Sequence, residues 1–223
     1  MRLKHVKGAN EIIEKGKYYI KEPTSYIGNW QKEVFHNSNP IYIEIGMGKG
    51  DFIIENALRY PDINFIGIER FDSVLVRAIQ KSDELEINNL KLVRLDANFI
   101  DTIFSQEISL IYLNFSDPWP KERHAKRRLT SPIFLEKYDK IFKSNAEIIM
   151  KTDNNPLFEY SKESLENFGY QIKSITRDLY QEDVSQNIKT EYEKKFVKLG
   201  VKINRLAAVK QSKSNNPPKK HYD

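Results

Sequence analysis

Four short segments hold the residues whose types and spacing could do chemistry. Glu44-Ile45-Gly46-Met47-Gly48-Lys49-Gly50 sets an acid ahead of glycines spaced G-x-G-x-G. Glycine lets a backbone pass close to a ligand without a Cβ clash, and such turns at strand ends are where open α/β sheets bind nucleotides. Glu69 ends another short apolar run, where an acid can accept hydrogen bonds from both hydroxyls of a ribose. Asp96 ends a third, well placed to accept from an adenine amino group. Asn114-Phe115-Ser116-Asp117-Pro118-Trp119-Pro120-Lys121 then sets an acid in a segment stiffened by two prolines, which fix their own φ and restrict the residue before them.

The spacing narrows the ligand. A dinucleotide fingerprint, G-x-G-x-x-G, would need glycine where Asp51 stands, and no G-x-x-x-x-G-K-[ST] phosphate loop is present. An acid ahead of the turn repels a pyrophosphate but suits the positively charged amino-acid end of S-adenosylmethionine. Taken singly, each acid reads equally as a solvated strand-end residue or a helix N-cap. Acids at three successive strand ends beside a Gly-rich turn make the joint pattern of a class I methyltransferase.

Those positions require strands to carry them. From Ile41 onward, β-branched or aromatic runs alternate with stretches of helical spacing, the pattern of a mostly parallel sheet covered by helices. Strands are predicted at Ile41–Ile45, Asn64–Glu69, Leu90–Asp96, Ser109–Phe115 and Glu147–Lys151. A helix over about Asp51–Tyr60 places Phe52, Ile53, Ala57 and Leu58 on or near one face and stops at Pro61. Val74, Ala78 and Leu85 mark a second helix. A third follows Pro132, and Leu157, Ser161, Leu165 and Phe168 mark a fourth. After Gly169 two further strands are expected, Tyr170–Thr176 and Phe196–Ile203, with no helix between them, because Val197, Leu199, Val201 and Ile203 alternate. This gives an α/β, Rossmann-like fold with a mostly parallel seven-stranded sheet, an antiparallel C-terminal strand pair and helices on both faces. The domain spans 41–210, preceded by a basic extension with a helical segment over 1–40 and followed by a basic, disordered tail over 211–223.

Net charge is +5, but it is unevenly spread. Residues 1–40 carry +3, 121–128 carry +4 and 189–223 carry +7, whereas 41–120 carry −6 and 129–188 carry −3. A modest average therefore conceals concentrated base suited to a polyanion, although solvated surface accounts for charge alone equally well. No apolar run approaches the roughly 20 residues that span a bilayer. The chain lacks cysteine, and His5, His36, His124 and His221 are far apart in sequence, so neither membrane nor metal is expected. A cytoplasmic protein, monomer or homodimer, is the expectation.

The acid-proline-aromatic order at Asp117 resembles the D/N-P-P-Y/F/W box of amino-directed methyltransferases. Continued through Lys121-Glu122-Arg123-His124-Ala125-Lys126-Arg127-Arg128-Leu129, the run F-S-D-P-W-P-K-x-R-H-x-K-R-R-L resembles the signature of the bacterial tRNA (guanine-N7)-methyltransferases, which act on the variable-loop guanosine 46. The likeness extends from Arg2 through the glycine turn and Lys151-Thr152-Asp153-Asn154 to Thr190-Glu191-Tyr192-Glu193-Lys194-Lys195-Phe196. Glu122 departs from the fully basic versions of the octet 121–128. The resemblance implies that Glu44, Gly46, Gly48, Gly50, Glu69, Asp96 and Asp117 contact S-adenosylmethionine and that Asp117 is also catalytic. It further implies that Lys121, Asp153, Thr190, Glu191, Tyr192 and Glu193 contact the nucleoside, with Arg123, His124, Lys126, Arg127 and Arg128 gripping tRNA. Other readings are a methyltransferase for a different RNA, a protein or a small molecule, and an RNA-binding module whose cofactor pocket has lapsed.

Overall fold

The computed structural model describes residues 6–182 and 184–211. Arg2, His5, His221 and the expected tail, apart from Gln211, lie outside the described residues. Seven strands form one sheet: β1 (Ile41–Ile45), β2 (Asn64–Glu69), β3 (Leu90–Arg94), β4 (Ile108–Asn114), β5 (Phe142–Thr152), β6 (Gln171–Thr176) and β7 (Asn204–Lys210). Their order is β3-β2-β1-β4-β5-β7-β6. The first five strands run parallel, and β7 lies antiparallel between β5 and β6.

Side-chain alternation explains why both faces are covered. Ile41, Ile43 and Ile45 point into one core with Phe134, Leu135 and Tyr138 of α4 (Pro132–Ile141) and Leu157, Phe158 and Leu165 of α5 (Asn155–Asn167). Tyr42 and Phe65 belong to the opposite core. There α1 (Ala9–Lys15), α2 (Asp51–Arg59) and α3 (Asp72–Asp83) contribute Ile13, Ile53, Ala57, Leu75 and Ile79. Leu58, expected on the buried face of α2, is 52% exposed; Phe52, Ile53, Ile54 and Ala57 fill that face instead. Ahead of β1, Trp30 is fully buried against Phe104, its indole donating to the Ile103 carbonyl at 2.7 Å. The Glu107 carboxylate accepts from the backbone of Gly28, Trp30 and Ser105, so one buried acid ties this segment to the start of β4.

One expected strand is absent. Phe196–Ile203 is not extended: α6 (Glu191–Val197) occupies the region between β6 and β7, and the last strand begins at Asn204. Thr190 and Glu193 explain the difference. The Thr190 hydroxyl accepts from the Glu193 backbone at 3.0 Å while the Glu193 carboxylate accepts from the Thr190 backbone, a reciprocal capping box that starts a helix. Tyr192 and Phe196, four residues apart, then stack with ring centroids 4.1 Å apart. The period-two pattern was accidental, since Leu199 is 68% exposed and Ile203 fully buried.

At Gly67 in β2 the backbone approaches the glycine turn closely. A Cβ there would collide with Met47 Sδ and stand 3.2 Å from Leu92 and 3.3 Å from Ile53. Gly67→Ala is expected to destabilise the fold by about 1–3 kcal/mol through overpacking. The corresponding fall in melting temperature is about 2–4 °C per kcal/mol. Because Met47 belongs to the turn, cofactor affinity should fall with it; an unchanged melting curve would contradict this packing.

Candidate active site

Strand order reverses between β1 and β4, which opens a crevice beyond their carboxyl ends. The chain leaves β1 through Gly46, Gly48 and Gly50, with φ of +77°, +61° and +83°. Among the described residues, apart from the chain neighbours, nothing lies within 4 Å of a Cβ built at Gly46 or Gly48, so left-handed backbone is what demands glycine there. Its underside is fixed by hydrogen bonds from Gly46 and Met47 to the Ile68 carbonyl at 2.9 and 3.0 Å.

A cavity of about 690 Å³ extends from this turn across the sheet edge. Gly46, Glu69, Asp96 and Asp117 line it together with Trp119, Lys126 and Arg127. Glu69 accepts from the backbone of Arg70 and Phe71 at 2.9 Å each and from Gly48 at 3.1 Å. Burial raises its pKa, against those three N–H groups. Asp96, two residues past β3, caps the 3₁₀ turn Ala97–Thr102 and pairs with Arg70 at 3.4 Å. Burial alone would raise Asp96, but the Asn98 N–H and amide and the Arg70 guanidinium hold it below the usual carboxylate range.

Glu44 lies beneath the turn rather than on the cavity wall, 2% exposed. Its Oε1 accepts from the Asn114 amide at 2.8 Å, while Oε2 is buried with no hydrogen-bond partner among the described residues. An unpartnered carboxylate oxygen at the foot of a glycine turn suits a ligand with a cationic end. With Glu69 and Asp96 offering acceptors and Phe71, Leu95 and Ile133 an apolar wall, the residues fit S-adenosylmethionine.

The reaction loop leaves β4 at Asn114. Asp117 is exposed, between two bulky residues in left-handed backbone, Phe115 at φ +50° and Trp119 at φ +42°. Each conformation costs on the order of 1–3 kcal/mol and persists only where neighbours over-determine it. The basic octet follows as a 3₁₀ turn, Glu122–Arg127. Lys121, Arg123, Lys126 and Arg127 are exposed. The Arg127 guanidinium lies 4.8 Å over the Trp119 ring, and His124 meets the same ring edge-on at 5.8 Å. Arg128 differs: 9% exposed, it turns inward onto the reaction loop.

The carboxyl end of β5 and the start of α6 close the site's other side. The Tyr192 hydroxyl donates to Asp153 Oδ2 at 2.9 Å, and its ring lies 4.8 Å from Phe115. Burial and the Asp153 acceptor push the Tyr192 hydroxyl up to about 12. Glu191 pairs with Lys49 of the glycine turn at 2.6 Å. Glu193 is fully buried, and both of its oxygens are engaged, by Lys151 at 2.6 Å, Tyr180 at 2.6 Å, Asn187 at 2.7 Å and the Thr190 backbone. Its carboxylate is used inside the fold, holding Thr190–Tyr192 in place, and does not present a free acceptor to a base edge.

A family model described as "Putative methyltransferase" matches residues 38–206. The tRNA (guanine-N(7)-)-methyltransferase of Lachnoclostridium phytofermentans is 48% identical over 95% of this chain and 99% of its own length. That of Listeria innocua is 50% identical over 93% of this chain and 98% of its own. The chain belongs to the tRNA (guanine-N7)-methyltransferase family. Among solved structures, the 16S rRNA methyltransferase KamB superimposes with a TM-score of 0.64 at 9% identity, covering 83% of this chain and 94% of that one, a likeness of fold.

Several residues of this methyltransferase's site escaped the sequence reading. Arg70 follows Glu69 directly, yet its pairing with Asp96 depends on β2 and β3 being neighbours. Lys151 carried the clearest signal, a lysine directly after the apolar run Ile148-Ile149-Met150; it is 2% exposed. Burial lowers the Lys151 pKa while Glu193 opposes the shift, and the pair keeps Glu193 below its ordinary value despite burial. Among the described residues no group of three or more acids or histidines could hold a metal ion.

Burial pushes Glu44 from 4.5 up to about 7, with Asn114 and Lys151 opposing and Glu69 adding to the rise. Between those two values the unfolded chain binds fewer protons than the folded one, so this group's contribution to stability falls as pH rises through the window. Glu44→Gln removes that penalty. In melts at matched pH, its stability relative to the parent is expected to climb from about 4.5 to 7 and level off above; a difference that stays flat would contradict the buried acid.

Proposed function

We propose that this chain transfers a methyl group from S-adenosylmethionine to N7 of the variable-loop guanine 46 of tRNA, forming N7-methylguanosine, in the cytoplasm. The observation that carries this reading is one cavity whose wall passes from Glu69 and Asp96, through Asp117 and Trp119, to Lys126 and Arg127. Acceptors for a nucleoside cofactor and cations for a phosphate backbone thus meet at the reaction loop.

S-adenosylmethionine supplies an electrophilic methyl group on its sulfonium sulfur. Guanine N7 already has an in-plane lone pair, so no residue has to remove a proton first. The protein's task is alignment and charge. Gly46, Gly48, Glu69 and Asp96 hold the cofactor, with Glu44 facing its cationic end from below. Alignment of this kind contributes up to about 7–11 kcal/mol. Asp117, on the cavity wall, favours the positive charge that the purine gains on methylation. Tyr192, in ring contact with Phe115 and Phe196 and hydrogen-bonded to Asp153, presents the exposed face of this wall to an extruded base. Thr190 and Glu191 rim that face, and Lys121, Arg123, His124, Lys126 and Arg127 meet the flanking phosphates.

Incubation of unmodified tRNA with protein and cofactor is expected to yield N7-methylguanosine at one position, and to yield none in tRNA lacking the variable-loop guanine. Asp117→Ala should lower turnover on the order of 10²-fold, a larger loss than any it causes in cofactor affinity. Methylation of both tRNAs alike, or full turnover by Asp117→Ala, would refute the assignment.

A further inference from the structure

Charge alone groups Arg128 with the other cations of the octet as a phosphate contact. Its surroundings assign it elsewhere. Arg123, Lys126 and Arg127 are exposed, whereas Arg128 is 9% exposed and its guanidinium points into the protein. Nε donates to the Pro118 carbonyl at 3.2 Å, and Nη2 donates to the Trp119 carbonyl at 3.1 Å. The guanidinium carbon also lies 4.2 Å from the ring of Tyr160 on α5, so a rigid helix sets its orientation.

We infer that Arg128 is a positioning residue for methyl transfer: its two-pronged grip on the Pro118 and Trp119 carbonyls holds the loop that carries Asp117. The backbone explains why such a grip is needed. Trp119 sits at φ +42°, a region that bulky residues seldom adopt, between two prolines that have no N–H with which to brace the loop. The residues after Arg128 are fastened to α5 as well. Ser164 Oγ donates to the Thr130 carbonyl at 2.6 Å, Thr130 and Ser161 hydroxyls meet at 2.7 Å, and Ser131 Oγ donates back to the Lys126 carbonyl at 3.1 Å. The basic octet therefore divides its labour. Its exposed cations face outward, and its last arginine transmits the rigidity of α5 to Trp119 and Asp117. Lysine cannot replace it, because a single ammonium lacks the planar fork that reaches two carbonyls.

This inference rests on the proposed tRNA methylation, and the test separates the two. Arg128→Lys keeps the charge and loses the fork. With full-length protein and tRNA, its kcat is expected to fall by roughly 10²-fold, since a misplacement of about 1 Å costs that much. Affinity for tRNA should stay within about twofold, and the salt slope of binding should be unchanged. Arg123→Ala should do the reverse, losing affinity and lowering the slope by about 0.7–0.9. The chain's two tryptophans give an independent readout. Trp30 is fully buried, so acrylamide quenching reports mainly Trp119 and should increase in Arg128→Lys. Tyr160→Leu, which removes the ring beneath the guanidinium, should reproduce the pattern more weakly. Parental kcat and quenching in both variants overturn the inference, as does a loss that appears only as weaker tRNA binding with a smaller slope. If tRNA is not the substrate, the parent itself makes no N7-methylguanosine, while quenching still reports whether Arg128 holds Trp119.

Discussion

The reversal of strand order between β1 and β4 is the constraint on which the rest depends. Parallel strands deliver all their carboxyl ends to one edge, and the reversal parts the connecting segments there, leaving an open crevice. Glu69, Asp96 and Asp117 gather at that edge. Glu69 ends β2, Asp96 follows β3, the glycine turn follows β1 and the reaction loop follows β4. Residues as far apart in the chain as Gly46 and Arg127 thus line one cavity.

A second constraint fixes the segment that carries Tyr192 and Asp153. The Lys151–Glu193 pair lies in the interior, with Tyr180 and Asn187 satisfying the remaining acceptor capacity of the carboxylate. Removing one partner of such a pair typically costs about 3–5 kcal/mol, because the other charge is left buried and alone. Here the pair joins the end of β5 to the first turn of α6, and thereby brings Tyr192 to Asp153 and Glu191 to Lys49. The two halves of the site are consequently linked through protein as well as through any ligand they share.

Much of this was legible in the sequence because period and punctuation agreed. The first four strands and the helix after Pro132 follow from β-branched runs bounded by Gly, Pro and Asp, and the family signature lies in consecutive residues. Phe196–Ile203 was misread because four apolar residues at alternate positions outweighed the capping box just upstream, whose partners Thr190 and Glu193 announce a helix. The inward turn of Arg128 and the engagement of Glu193 were not legible in principle. Both depend on where α5 and β5 pass in space, and a residue's type does not reveal whether its charge is spent on solvent, ligand or the fold itself.

The most direct test of the central claim is a crystal structure with S-adenosylhomocysteine bound. The account requires the ribose hydroxyls at Glu69, the adenine beside Asp96 and the sulfur facing Asp117, all within the cavity beyond β1 and β4. Density for the nucleoside on another surface, or a ribose remote from Glu69, would contradict it.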